Sequence, residues 1–367
     1  MPGPKEAPTH RVTLIPGDGV GPEVVEAARR SVEATGVEIA WDVQHAGTEA
    51  AGPTGSPLPA SVLDSIRFTG VALKGPLETP VDGGARNVNV AMRVALDLFA
   101  GVRPCRSYPG ARSRYEDVDV VVIRENTEAE YTGVEFEQGE PETKELIRFI
   151  EGTTGQRVRE DSGLSIKAIS EGASERIVRF AFEYARANGR SKVTAGHKAN
   201  IMKFTDGLFL ETARRVAAEY PDVAFEDRII DALTMRLVQR PWDHDVLVLP
   251  NLYGDILSEL CAGLIGGPGL APGANLGERI AVFETTHGSA PRYRGTGRAN
   301  PMAMMFAGAM MLRHLGEPDA GDRLEEAISA VLAEGRTVTG DLLASRDDPR
   351  AAATSEVADA IVARLGG

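Results

Sequence analysis

The sequence predicts an α/β protein, because short β-branched runs alternate with longer amphipathic stretches and each run ends in a charged cluster. The runs at 118–123 and 246–249 are bounded by polar residues, and 192–195 is a third of the same kind, so all three read as buried strands. The stripe Ile177, Phe180, Ala181 and Tyr184 predicts a helix over 174–188, and 207–220 reads as another. The three strands run straight into Arg124-Glu125-Asn126, His197-Lys198-Ala199-Asn200 and Asn251-Leu252-Tyr253-Gly254-Asp255. Ligands of open α/β sheets sit beyond the carboxyl ends of strands, so these clusters are expected to converge.

The remaining elements follow from composition. Residues 263–277 and 101–110 are rich in Gly and Pro and read as loops, the first of them between two lobes. Stretches 323–332 and 355–365 read as amphipathic surface helices. At 367 residues the chain is long enough for two cores, since single cores seldom grow past roughly 250–300 residues. With 43% hydrophobic and 25% charged residues it has the make-up of an ordinary globular protein. Cys105 and Cys261 are expected to be reduced packing residues, which together with a polar start without an apolar core predicts a cytoplasmic protein. No run of about 18 apolar residues exists, so no membrane span is predicted. The formal net charge of −13 argues against nucleic acid as a partner.

Three constellations could carry chemistry. Leu14-Ile15-Pro16-Gly17-Asp18-Gly19-Val20-Gly21-Pro22-Glu23 has glycines, but not at the spacing of a dinucleotide fingerprint, and reads as a strand-to-helix turn. Arg86, Arg93, Arg103 and Arg124, with Asn87 and Asn89, are concentrated in one stretch; each alone reads as solvated surface, but several aimed at one point would hold a di- or tricarboxylate. Asp255 and Glu259 are four apart in a helix predicted to start after Tyr253-Gly254, so they share a face. Read alone they are either exposed acids or, with Asp231, oxygen ligands for a hard ion such as Mg²⁺ or Mn²⁺. His197, His244 and His287 do not stand at zinc-like spacings with cysteines.

Taken in order, these motifs resemble the isocitrate and isopropylmalate dehydrogenase family over almost the whole chain, from Ile15-Pro16-Gly17-Asp18-Gly19 to Thr354-Ser355-Glu356. Leu73-Lys74-Gly75-Pro76-Leu77, Val102-Arg103-Pro104-Cys105-Arg106-Ser107, Ile123-Arg124-Glu125-Asn126-Thr127-Glu128, His197-Lys198-Ala199-Asn200-Ile201-Met202-Lys203 and Pro250-Asn251-Leu252-Tyr253-Gly254-Asp255 carry the likeness. It is greatest to the short NAD-type isocitrate dehydrogenases. The resemblance implies a two-lobed layered α/β fold distinct from a standard Rossmann fold. Residues 1–105 and 265–367 would form a large cofactor domain, and 106–264 a small domain with substrate residues, metal residues and the dimer interface. It also implies a homodimer with shared active sites.

Carried over by motif, Arg93, Arg103 and Arg124 are similar to the family's clamp for the substrate's α- and β-carboxylates, and Asn89 to a ligand of its distal group. Tyr131 matches the tyrosine that protonates the enol, while Lys198 and Asp231 match a pair lent by the partner subunit. Asp255 matches a metal ligand, and Glu259 stands where the family has a second aspartate. Glu284-Thr285-Thr286-His287-Gly288-Ser289-Ala290-Pro291 resembles the adenine loop, with Asn300 as adenine partner and Thr79 and Asp341 in support. The implied activity is metal-dependent oxidative decarboxylation of isocitrate or a close 3-substituted malate.

Four departures qualify the likeness. Asn87 replaces a serine that contacts the distal carboxylate, which keeps homoisocitrate and phosphonomethylmalate open as substrates. Glu259 is one methylene longer than aspartate. Arg292, followed by Tyr293, stands where NAD-using relatives place an aspartate, which predicts NADP with NAD as the alternative. The second half of the phosphate site falls on Gly340 and Ala344, leaving nearby Arg346 as a substitute. A non-catalytic regulatory subunit is the competing reading, opposed by the presence of Tyr131, Lys198, Asp231 and Asp255 together.

Overall fold

The computed structural model describes residues 10–78 and 87–366. Ten strands form one sheet, in the order β2-β1-β3-β12-β11-β4-β5-β10-β8-β9. They are β1 (His10–Ile15), β2 (Ile39–Val43), β3 (Val71–Lys74), β4 (Ala100–Arg106), β5 (Asp119–Glu125), β8 (Lys192–His197), β9 (Ala224–Ile229), β10 (Val246–Leu249), β11 (Pro272–Leu276) and β12 (Ala281–Thr285). A separate two-stranded pair joins β6 (Glu135–Phe136) to β7 (Leu164–Ser165). Residues 106–264 supply one end of the large sheet, β5-β10-β8-β9, all parallel. The other end, β2-β1-β3-β12, is also parallel within itself. Between them β11 and β4 pair antiparallel with each other and with their outer neighbours, so the two ends run in opposite directions.

That reversal explains two corrections. The Gly- and Pro-containing segments expected as loops at 101–110 and 263–277 supply β4 and β11, the central strands of the sheet. Composition misleads here because a glycine in a strand also marks a close approach. A Cβ on Gly273 would stand 2.0 Å from Arg103 Nη1, so the bare strand β11 makes room for the guanidinium. The buried runs behave as read: β8 and β10 contain the predicted strands, β5 matches the third from Asp119 onward, and Val246–Leu249 is buried throughout.

The helices are α1 (Gly21–Glu33), α2 (Thr48–Thr54), α3 (Ala60–Thr69), α4 (Val88–Ala95), α5 (Pro141–Thr154), α6 (Glu171–Ala187), α7 (Asp206–Ala217), α8 (Ile230–Gln239), α9 (Asn251–Leu264), α10 (Met302–His314), α11 (Pro318–Glu334) and α12 (Thr354–Leu365). α6 and α7 match the stretches predicted from the apolar stripe, and Ser170 caps α6 by accepting from Ala173 N at 3.2 Å. The glycine-rich opening is a strand-to-helix turn, stapled by buried Asp18, whose carboxylate accepts from Thr48 N, Thr48 Oγ1 and Glu78 N. α10 is apolar almost all round and buried almost throughout, packed between the sheet and helices α1 and α11. One further boundary differs: α9 begins at Asn251, four residues before its expected start after Gly254.

Candidate active site

The reversal in the sheet brings charged side chains from five elements to one point, cations from four of them. β3 ends in Lys74, β4 carries Arg103, β5 carries Arg124, α4 presents Arg93 with Asn89, and α9 presents Asp255 and Glu259. These line a cavity of about 120 Å³, together with Glu284 at the end of β12. Glu284 is 5% exposed and lies at its centre. Its carboxylate pairs with Lys74 Nζ at 2.8 Å, Arg103 Nη2 at 2.9 Å and Arg93 Nη2 at 3.2 Å, and accepts from Asn275 Nδ2 at 2.6 Å. Burial pushes the Glu284 carboxyl upward, but Lys74, Arg103 and Arg93 together outweigh it and hold the group well below the usual carboxylate range. Four cations thus line the cavity with three carboxylates.

Arg124 is held from the other side. Its Nε and Nη2 donate to Asn251 Oδ1 at 2.9 and 2.7 Å, and its Nη1 pairs with Asp255. Burial, then the nearby charge of Arg93, bring its pKa down to about 10, so the group stays cationic at neutral pH. A Cβ on Gly254 would lie 2.6 Å from Arg124 Cγ, which is why a glycine occupies the first turn of α9. Tyr131 donates its hydroxyl to Asp255 Oδ2 at 2.5 Å, and its ring lies 4.7 Å from the Arg124 guanidinium carbon. Burial first, then the bond to Asp255, raise the phenol above its ordinary value, so it remains a proton donor.

Lys198 and Asp231 stand apart. They pair with each other in a half-open setting, with Asp231 64% exposed, and neither lines the cavity. The Lys198 ammonium lowers the Asp231 carboxyl through its hydrogen bond. Of the three clusters expected to converge, Arg124 and the start of α9 therefore meet, while the side chain that follows β8 turns elsewhere. Ile201, Phe204, Met235 and Ile256 are exposed apolar side chains on the same loop as Lys198, on α8 and on α9, and α8 packs beside α9.

A larger cleft of about 640 Å³ adjoins this site, since His287 and Gly288 line both. Ala290, Tyr293, Asn300 and Asp341 are in its wall, with Asn300 Nδ2 donating to Asp341 Oδ2 at 3.0 Å. Arg346 Nη1 donates to the Tyr293 hydroxyl at 3.2 Å, and Arg298 lies in the same wall. Arg292 is exposed and outside that wall, and Ser289 is buried, with its carbonyl accepting from Val20 N at 2.9 Å. Glu284, expected with the adenine loop, is taken up instead by the cations of the smaller cavity. Asn87 caps α4, its side chain accepting from Asn89 N at 2.9 Å and Val90 N at 3.3 Å. Thr79 and Arg86 lie outside the described residues. Lys74, Asn251 and Asn275 were not singled out by sequence. The signal for Lys74 was a lysine closing the short apolar run Val71-Ala72-Leu73.

Among the described residues no group of three or more His, Cys, Asp or Glu is gathered to hold a metal ion within one chain. Two of the three expected ligands do share a wall. Burial, then the Asp255 carboxylate, push the Glu259 carboxyl upward against the pull of Arg103 and Arg124, so two mutually repelling oxygen donors share one wall. That donor set fits a hard divalent ion.

The family model described as isocitrate/isopropylmalate dehydrogenase matches residues 11–361. A Drosophila melanogaster protein named probable isocitrate dehydrogenase (NAD) subunit alpha, mitochondrial, is 45% identical over 335 residues, covering 91% of this chain and 83% of that one. A Solanum tuberosum protein named 3-isopropylmalate dehydrogenase, chloroplastic, is 46% identical, covering 89% and 86%. The crystal structure of isocitrate dehydrogenase from Methylococcus capsulatus superposes with a TM-score of 0.89 at 50% identity, covering 98% of this chain and 100% of that one.

Proposed function

The chain belongs to the isocitrate/isopropylmalate dehydrogenase family, and from that premise we propose that it oxidatively decarboxylates isocitrate or a close 3-substituted malate. The observation that carries this reading is the small cavity, where Arg93, Arg103 and Lys74 meet one buried carboxylate and Arg124 lines the same space. Such a concentration of buried cations suits a small polyanion and little else. A bound divalent ion would supply Lewis acidity, and a bound nicotinamide would supply the hydride acceptor. Asp255 and Glu259 would hold the metal, with Asp231 from a second copy. The arginines bind the α- and β-carboxylates and so orient C2. The Lys198–Asp231 pair of the second copy takes the hydroxyl proton, and the Tyr131 hydroxyl returns a proton to the β-carbon after CO₂ leaves.

This reading makes the active unit a homodimer, supported by the separation of Lys198 and Asp231 from the cavity and by the exposed Ile201, Phe204, Met235 and Ile256 beside them. Residues 1–105 with 265–367 would form its cofactor lobe and 106–264 its dimerising lobe. It places the protein in the cytoplasm, where Cys105 and Cys261, both free and buried, would stay reduced. The larger cleft would take the dinucleotide. NADP is proposed over NAD because Arg346 and Arg298 stand beside Tyr293 in its wall, so Arg346 assumes the role expected of Arg292. The Drosophila relative's name specifies NAD, and a preference for NAD would overturn this choice alone.

The test is absorbance of the reduced nicotinamide with the purified chain, Mg²⁺ or Mn²⁺, both cofactors, and isocitrate, homoisocitrate, isopropylmalate, malate, tartrate and phosphonomethylmalate. Metal-dependent turnover of isocitrate or a 3-substituted analogue is expected. No turnover of any member would favour the regulatory-subunit reading.

A further inference from the structure

Lys198 is positioned through its backbone. In the turn after β8, Ile201 N and Met202 N donate to Lys198 O at 3.0 and 2.9 Å, and Lys198 N donates to Asp206 Oδ2 at 2.7 Å. Asp206 is fully buried at the first position of α7, and its other oxygen, Oδ1, receives Lys167 Nζ at 2.7 Å. Lys167 is itself 13% exposed. It lies 4.5 Å over the ring of Tyr253, donates to that hydroxyl at 3.3 Å, and stands 3.8 Å from Glu130. Tyr253 precedes Asp255 by two residues on α9, and Glu130 adjoins Tyr131.

Stability gives little reason for this arrangement, since a buried ion pair seldom outperforms well-packed apolar side chains. Nor does Asp206 act as the N-cap of α7: that position is Thr205, whose side chain makes no cap bond. The carboxylate points back out of its helix to the amide of one residue. We infer that Asp206, with Lys167 as its counter-ion, is a positioning residue that fixes Lys198 for proton transfer. The inference rests on the proposed function. Through Tyr253 and Glu130 the same ion pair ties Lys198 to the segments that carry Asp255 and Tyr131, so both contributions of one chain share a frame.

The experiment compares Asp206→Ala, Asp206→Asn and Lys167→Met with wild type in the full-length enzyme, with Lys198→Met as control. Misplacing a reacting group by about 1 Å can cost on the order of a hundredfold. Asp206→Ala is expected to lower kcat by about ten- to a hundredfold while the substrate KM stays within about twofold, because the arginine cavity is untouched. Asp206→Asn keeps an oxygen that can accept from Lys198 N, so it should recover part of the loss, and Lys167→Met should fall between. If Asp206→Ala fails to fold, Asp206→Asn decides alone, by a lowered kcat at constant KM. The inference is overturned if KM rises while kcat holds, if Ala and Asn lose equally, or if neither loses. Wild-type turnover in Lys198→Met would instead sink the parent reading.

Discussion

The cavity around Glu284 and the pair of Lys198 with Asp231 are both made of opposite charges, and they are made in opposite ways. Glu284 is buried and touched by three cations and an amide, each fixed on a different element of the sheet or α4. Asp231 is 64% exposed and meets one lysine, on a surface that also displays bare apolar side chains. The first arrangement is finished within one chain. The second sets an exposed ion pair among exposed apolar side chains, the composition that the proposed dimer would cover.

If the two regions differ in this way, removing a charge from each should have different consequences. Glu284→Gln leaves Lys74, Arg93 and Arg103 without their counter-charge and should cost about 3–5 kcal/mol of stability, read as a lowered denaturant midpoint. The pH dependence has a definite sign. The Glu284 carboxyl is depressed on folding, so its contribution is present at neutral pH and is lost as pH falls below the ordinary 4.5, and Glu284→Gln should flatten that acid limb. Asp231→Asn, by contrast, should leave the midpoint where it is and lower turnover. Equal destabilisation by both would erase the distinction.

Asn251→Ala sharpens it next. It removes the acceptor of two Arg124 bonds in the buried half, worth about 1–3 kcal/mol, and should appear as a roughly ten- to a hundredfold drop in kcat/KM. A smaller effect is expected at Glu259, whose carboxyl is raised by burial and by Asp255. A raised carboxyl destabilises the fold above its ordinary pKa and is harmless below it. Glu259→Gln should therefore raise the melting temperature of the metal-free protein slightly at neutral pH, not at acid pH, and should shrink the rise that Mg²⁺ or Mn²⁺ brings to wild type. The smallest change is Asn87→Ser, since serine caps a helix about as well as asparagine. Its melting temperature should hold, and only the ranking of isocitrate against bulkier anionic analogues should move; an unchanged ranking would make Asn87 a cap alone.

How far the sequence could be read follows from the same contrast. Arg93, Arg103 and Arg124 could be picked out because arginines crowded into one stretch are informative without knowing the fold. Asn251 and Asn275 could not, since their work is to hold an arginine or Glu284 from a strand or helix distant in sequence. β4 and β11 were hidden because the glycine that admits Arg103 looks like the glycine of a loop. Glu284 was drawn to the adenine loop by its sequence neighbours, whereas Lys74, Arg93 and Arg103, which claim its carboxylate, are far from it in sequence. The pairing of Lys198 with Asp231 was legible as a motif, and its separation from Asp255 only as geometry.

Each catalytic site is proposed to be shared between two copies, and mixing two inactive variants separates this from a site built within one chain. Tyr131→Phe and Lys198→Met should each be crippled by about 10²–10⁴-fold as separate homodimers. After subunit exchange, half the dimers are mixed and one of the two sites in each has both groups intact, so activity should return to about a quarter of wild type. No recovery, with exchange confirmed by mass, would contradict the shared site and place both groups in one chain's own centre.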